Sequence, residues 1–113
     1  MQMNEYQKAA MRTANPEKMG ARDALTNAAL GLNGEAGEFA DIIKKAFFQG
    51  YVIDGAALEK EVGDVLWYCA LAATAIGVGL EEIAQKNIDK LTARYPERFD
   101  EARSRNRNES LEG

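Results

Sequence analysis

A chain of 113 residues that is 46% apolar and 28% charged, with two prolines, has the size and composition of one globular domain with a buried core. It holds no histidine and a single cysteine, Cys69, which excludes a Ser-His-Asp triad, a Cys-His pair, imidazole or clustered-cysteine metal sites and a disulfide framework. Fourteen Lys and Arg against eighteen Asp and Glu leave a net charge of −4, a poor match for duplex nucleic acid.

The first residues, Met1-Gln2-Met3-Asn4-Glu5, are polar and do not resemble a signal peptide. A modest helix is expected from about Asn4 to Thr13, closed before Pro16. A second helix runs from about Asp23 to Gln49, with Asp23 near its start and Gly50 after its end. Leu25, Ala28, Ala29, Leu32, Ala36, Phe39, Ile43, Ala46 and Phe47 form its three-and-four-spaced apolar stripe. Tyr51 to Ile53 reads as a short extended link, and Asp54-Gly55 as turn or cap chemistry.

The third helix, about Ala56 to Ile76, is amphipathic at first and apolar all round from Val65. Such a helix is central in a bundle or pressed against another subunit. A bilayer needs about twenty apolar residues, more than this run supplies, so no membrane partner is expected and the chain reads as cytoplasmic. Gly77 and Gly79 break the run. A fourth helix, Leu80 to Tyr95, carries Leu80, Ile83, Ala84, Ile88 and Leu91 and stops before Pro96. Residues 97–113 are charged and read as a short helix fading into disorder. The expected fold is all-α, a four-helix-type bundle in a single domain over residues 1–113, with its core at about 4–96 and a tail at 97–113.

The informative residues are acids beside apolar stripes. At 100° per residue, Glu35 and Glu38 fall on one flank of the second helix's stripe, while Asp41 faces solvent. On the third helix Glu61, Asp64 and Tyr68 share a flank. Each helix therefore offers two carboxylates at i and i+3, about 5–6 Å apart on one face. Either pair alone reads as solvated surface; two pairs, each beside an apolar stripe, point to a hard divalent cation such as Mg²⁺. Gly34, Gly37 and Gly63 stand beside these acids in helix interiors, at about 1 kcal/mol each relative to alanine. They mark close helix approach or ligand access, with plain helix packing the competing account for Gly31 and Gly34.

Asn87, Lys90 and Arg94 share one flank of the fourth helix, and Lys45 shares the side of Glu38. An amide, an ammonium and a guanidinium in a row suit phosphate oxygens, although cations near a helix's end also complement its dipole. Trp67, Phe47 and Phe48 read either as core or as a face on which a base stacks. Cys69 reads as packing.

Leu32-Asn33-Gly34-Glu35-Ala36-Gly37-Glu38, a spacer, and Glu61-Val62-Gly63-Asp64-Val65-Leu66-Trp67-Tyr68 resemble the MazG-like nucleoside triphosphate pyrophosphohydrolases, whose signature is Glu-x-x-Glu followed by Glu-x-x-Asp. Lys86-Asn87-Ile88-Asp89-Lys90-Leu91 and Arg94-Tyr95-Pro96 are similar to that family's fourth helix, so the resemblance covers about residues 25 to 96. It implies an all-α dimer or tetramer that hydrolyses a (deoxy)nucleoside triphosphate to the monophosphate and pyrophosphate with Mg²⁺, or Mn²⁺ in its place, in nucleotide-pool housecleaning. By motif position Glu35, Glu38, Glu61 and Asp64 would hold the metal. Lys86, Asn87, Lys90, Arg94 and Tyr95 would contact phosphates, and Tyr68 would line the site. Histidine and tryptophan residues that some relatives use around the base have no counterpart in the first 24 residues.

The chemistry is consistent with that resemblance. A triphosphate enters an acidic pocket only through a bridging cation, which activates a water whose proton Glu38 or Glu35 takes, while Lys90 and Arg94 offset charge on the departing pyrophosphate. A carboxylate-bridged di-iron bundle would need Glu-x-x-His motifs, which are absent. The remaining alternative is a non-catalytic helical protein that binds nucleotide or a partner without turnover.

Overall fold

The computed structural model describes residues 1–96, and among them every regular element is a helix. These are α1 (Met3–Met11), α2 (Pro16–Met19), α3 (Ala21–Phe48), α4 (Gly55–Ile76) and α5 (Leu80–Arg94). The all-α expectation is met, and the four long segments begin and end within about two residues of where periodicity and caps put them. The tail expected at 97–113 lies outside the described residues.

The short α2 is an addition. Pro16 reads in the sequence only as a stop, but it is also a good first residue, because its missing N–H is one that a helix start leaves unpaired anyway. Asn15 before it turns the chain in the left-handed region, φ 51°, and Gly20 after it does so at φ 83°. α4 starts on a side-chain cap: Asp54 Oδ1 accepts from the backbone N–H of Ala56 at 3.0 Å and of Ala57 at 3.2 Å. It ends at Gly77, whose φ of 81° suits a residue without a Cβ.

The chain forms two compact units, the first Met1–Leu80 and the second from Glu81 onward. In the first, α3 and α4 form the main packing, with α1 and α2 against them. The link from Gln49 to Asp54 is too short for anything but an antiparallel return, and the register is regular. Ala24 and Ala75, then Ala28 and Leu71, belong to one cluster that also takes in Met11, Met19, Trp67 and Tyr68. A second cluster of Ala70, Ala73 and Leu80 gathers Met3, Tyr6, Ala10, Cys69 and Val78 under α1. Gln7 ties the two helices: its Nε2 donates to Thr74 Oγ1 and to the Val78 carbonyl, both at 3.0 Å, and its Oε1 accepts from Leu80 N–H at 2.7 Å.

The stripe expected on α3 is only partly covered. Of its residues Ala28 is buried, as is Ala24 outside it, but Leu25 is 41% exposed and Phe47 67%. Among the described residues no single helix is long and apolar enough to cross a membrane. In the second unit α5 continues to Arg94, with a Lys86–Glu82 ion pair at 3.4 Å and a Gln85-to-Asp89 hydrogen bond at 2.9 Å along its surface.

Candidate metal centre

The α3–α4 seam runs through small residues and then changes character. On α3 it passes Ala24, Ala28 and Gly31; on α4, in the opposite direction, Ala75, Leu71 and Tyr68. One turn further on α3 stands Glu35, and one and two turns back on α4 stand Asp64 and Glu61. Periodicity therefore brings acids to the seam where an apolar pair would continue it. One carboxylate oxygen from each of Glu35, Glu61 and Asp64 lies within 4.8 Å of the others.

Glu61 has lost most of its contact with water on one side: its Oε2 is buried and has no hydrogen-bond partner. A hydrogen bond with Glu35, then desolvation, then the charges of Glu35, Asp64 and Glu38 push its carboxyl up to about 7 from an ordinary 4.5. An orphaned buried oxygen inside a cluster of like charges is what a cation would relieve. The donor set is all oxygen, with neither imidazole nor thiolate, which suits Mg²⁺, Mn²⁺ or Ca²⁺ over softer metals.

Glu38 stands outside the three. It is exposed, and its charge acts on both Glu61 and Lys45. Lys45 is paired with Asp41 at 3.0 Å, and its ammonium lies 6.0 Å from the Tyr51 ring centroid. The hydrogen bond and charge of Asp41 raise the Lys45 pKa. Asp41 is thus half-buried and paired rather than simply solvent-facing.

Tyr68 sits against the backbone of Gly31, so that glycine is a packing residue. A Cβ on Gly34, Gly37 or Gly63 would meet nothing within 4 Å, so helix packing does not account for these three. Trp67 meets Tyr68 edge-on, centroids 4.9 Å apart, and its Nε1 donates to Thr13 Oγ1 at 2.9 Å. Phe47 and Phe48 project at the end of α3, 67% and 84% exposed, and are not part of the core. Cys69 packs under α1, where burial pushes its thiol up.

Tyr6 on α1 was not singled out by the sequence. Burial, then Cys69 and Asp64, raise its phenol, so α1 brings a hydroxyl within electrostatic range of the acidic seam. No sequence signal marks it, since only tertiary packing puts α1 there. Lys86, Asn87, Lys90, Arg94 and Tyr95 belong to the second unit. Within it Lys86 pairs with Glu82, and the Arg94 guanidinium lies 6.0 Å from the Tyr95 ring centroid. Asn87 and Lys90 are exposed on α5, while Arg94 and Tyr95 are half-buried.

Residues 24–99 match the family model of the MazG nucleotide pyrophosphohydrolase domain. The chain is 36% identical to the Gene 37 protein of Mycobacterium phage L5, over 83% of this chain and 89% of that protein. No solved structure matches.

Proposed function

The chain belongs to the MazG nucleotide pyrophosphohydrolase family, hydrolases of nucleotide phosphoanhydrides, and on that premise we propose that it converts (deoxy)nucleoside triphosphates to the monophosphate and pyrophosphate with Mg²⁺ as cofactor. The observation that carries this reading is the convergence of Glu35, Glu61 and Asp64 within 4.8 Å, with the unpaired Oε2 of Glu61 among them. These three residues would hold the cation, and Mn²⁺, also a hard oxygen-seeking ion, would substitute.

When bound, the metal polarises a phosphoryl oxygen and lowers the pKa of a water. Glu38 is assigned as the group that takes the water's proton. It is exposed, ionisable and one turn from Glu35, whereas Glu35 is one of the three residues that would hold the cation. Lys45, Lys86, Asn87, Lys90, Arg94 and Tyr95 are assigned to phosphate oxygens on their chemistry and motif positions alone, and Tyr68 to the lining of the nucleotide site. Nucleotide-pool housecleaning in the cytoplasm, as a homo-oligomer without duplex nucleic acid or membrane partners, completes the reading. Exposed apolar side chains such as Leu30, at 71%, and Phe48, at 84%, support self-association.

The deciding experiment is a panel of ribo- and deoxyribonucleoside triphosphates incubated with Mg²⁺, with products separated by chromatography. Monophosphate and pyrophosphate are expected. Diphosphate and orthophosphate would overturn the assignment, and nucleotide binding without turnover would leave the non-catalytic alternative.

A further inference from the structure

Along the α3–α4 seam a large side chain on one helix meets a small residue on the other: Leu71 packs with Ala28, and one turn on, Tyr68 packs on Gly31. At Gly31 the complementarity has no slack. A Cβ built there would fall inside the van der Waals envelope of Tyr68 Cδ1, Cε1 and Cζ. Any side chain at this position must move the ring or move the helix.

The ring also makes a T-shaped contact with Trp67, interplanar angle 83°, and Trp67 is tied in turn by the hydrogen bond from its Nε1 to Thr13 Oγ1. Thr13 Oγ1 itself donates to the Ala10 carbonyl at 2.8 Å. A continuous line of contacts thus runs from the α3 backbone through Tyr68 and Trp67 to the end of α1.

Resting on the metal-site reading above, we propose that Gly31 and Tyr68 are a positioning pair for the cation: they set the α3–α4 gap one turn from the carboxylates. Glu35 follows Gly31 by four residues, and Asp64 precedes Tyr68 by four, so the gap at the first pair is carried to the second. Ligand oxygens of a small cation sit only about 2.0–2.1 Å from it and tolerate little distortion. Oxygens spread over 4.8 Å must draw together to bind, and a wider gap takes them out of reach. Gly34 supplies the internal contrast, because it lies on the same helix with the same lack of a side chain and faces open space.

The test uses the full chain without nucleotide and reads Mn²⁺ affinity by electron paramagnetic resonance, alongside melting in EDTA. Gly31→Ala is expected to weaken Mn²⁺ binding by about tenfold or more, the usual scale for residues that orient metal ligands. Adding Tyr68→Ala to Gly31→Ala removes the ring that the new methyl group meets, and most of the lost affinity is expected to return. Wild-type affinity in Gly31→Ala, or a double variant no better than the single one, would overturn the spacing role while leaving the metal site intact. Should Gly31→Ala fail to fold, the double variant decides: one that folds and binds supports the pair, and one that stays unfolded or folds without binding overturns it. A wild-type chain that binds no Mn²⁺ at all would instead remove the metal site itself.

Discussion

Glu61 on α4 and Glu35 on α3 bring carboxylate oxygens within 4.8 Å of each other across the helix seam, and Glu35 is the largest cause that pushes the Glu61 carboxyl up to about 7 from an ordinary 4.5. The raised value means that the folded chain keeps a proton on this pair up to about pH 7, and a bound cation would compete with it, so metal binding is expected to release a proton.

A pH dependence follows. Between pH 4.5 and about 7 the folded chain keeps a proton on Glu61 that the unfolded chain has released. Unfolding free energy therefore falls as pH rises through this window. The contribution is complete below pH 4.5 and is lost above about 7. Melting in EDTA is expected to show this decline, Glu61→Gln to flatten it, and Mg²⁺ addition near neutral pH to release protons. Calorimetry in buffers of different ionisation enthalpy measures the release. A wild type and a Glu61→Gln variant with the same pH slope would contradict the shared proton.

The four acids are not equivalent, and substitution should rank them. Glu35 belongs to the cluster of three, whereas Glu38 is exposed beside it. Replacing Glu35 by glutamine removes a charge from the seam and, on the proposed reading, one of the three groups that would hold the cation. Glu35→Gln is expected to melt higher than wild type in EDTA and to lose the gain from Mg²⁺, which at one hundred times Kd is about 2.7 kcal/mol. Glu38→Gln is expected to keep most of that gain and to lose turnover. Equal Mg²⁺ responses in the two variants would remove the distinction between ligand and base.

The helices were legible because stripe and cap agree: Asp54 before α4 and Gly77 after it mark its ends in the sequence as in the structure. The acids were legible because they interrupt stripes. What stayed hidden depends on what lies across a gap. Gly31 and Gly34 look alike in sequence, yet one receives a tyrosine ring and the other faces open space. Leu25 and Phe47 fit the stripe perfectly well, but a stripe says which face is apolar and not whether anything covers it. Pro16 has two meanings, stop and start, and only the second describes α2. Tyr6 gives no local signal at all.

Uncovered apolar surface leads to a prediction about assembly. Leu30, Phe48, Val52 and Val62 are 71%, 84%, 91% and 55% exposed. Side chains of this kind contribute roughly 1.5–3 kcal/mol each when fully removed from water. A homo-oligomer is expected at micromolar concentration by light scattering, and Phe48→Ser is expected to shift the distribution towards smaller species. A strictly monomeric wild type would count against it.

The last prediction concerns the start of α4, the helix that carries both Glu61 and Asp64. Its first turn leaves backbone N–H groups without helical partners, and Asp54 Oδ1 takes two of them, from Ala56 and Ala57. Its negative charge also faces the positive end of the helix dipole. Asp54→Ala removes both effects and is expected to cost about 1 kcal/mol. Asp54→Asn keeps an acceptor oxygen and should cost less. In a folded unit of this size, about 1 kcal/mol lowers the melting temperature by roughly 4–8 °C. Because Glu61 lies in the second turn, fraying of the first should leave Mg²⁺ binding nearly unchanged, so stability and metal affinity separate in this variant. Urea denaturation with and without Mg²⁺ measures both. An Asp54→Ala protein with wild-type stability would show that the six-residue link, and not the cap, holds the start of α4, and one that loses Mg²⁺ binding outright would show that the first turn belongs to the metal site.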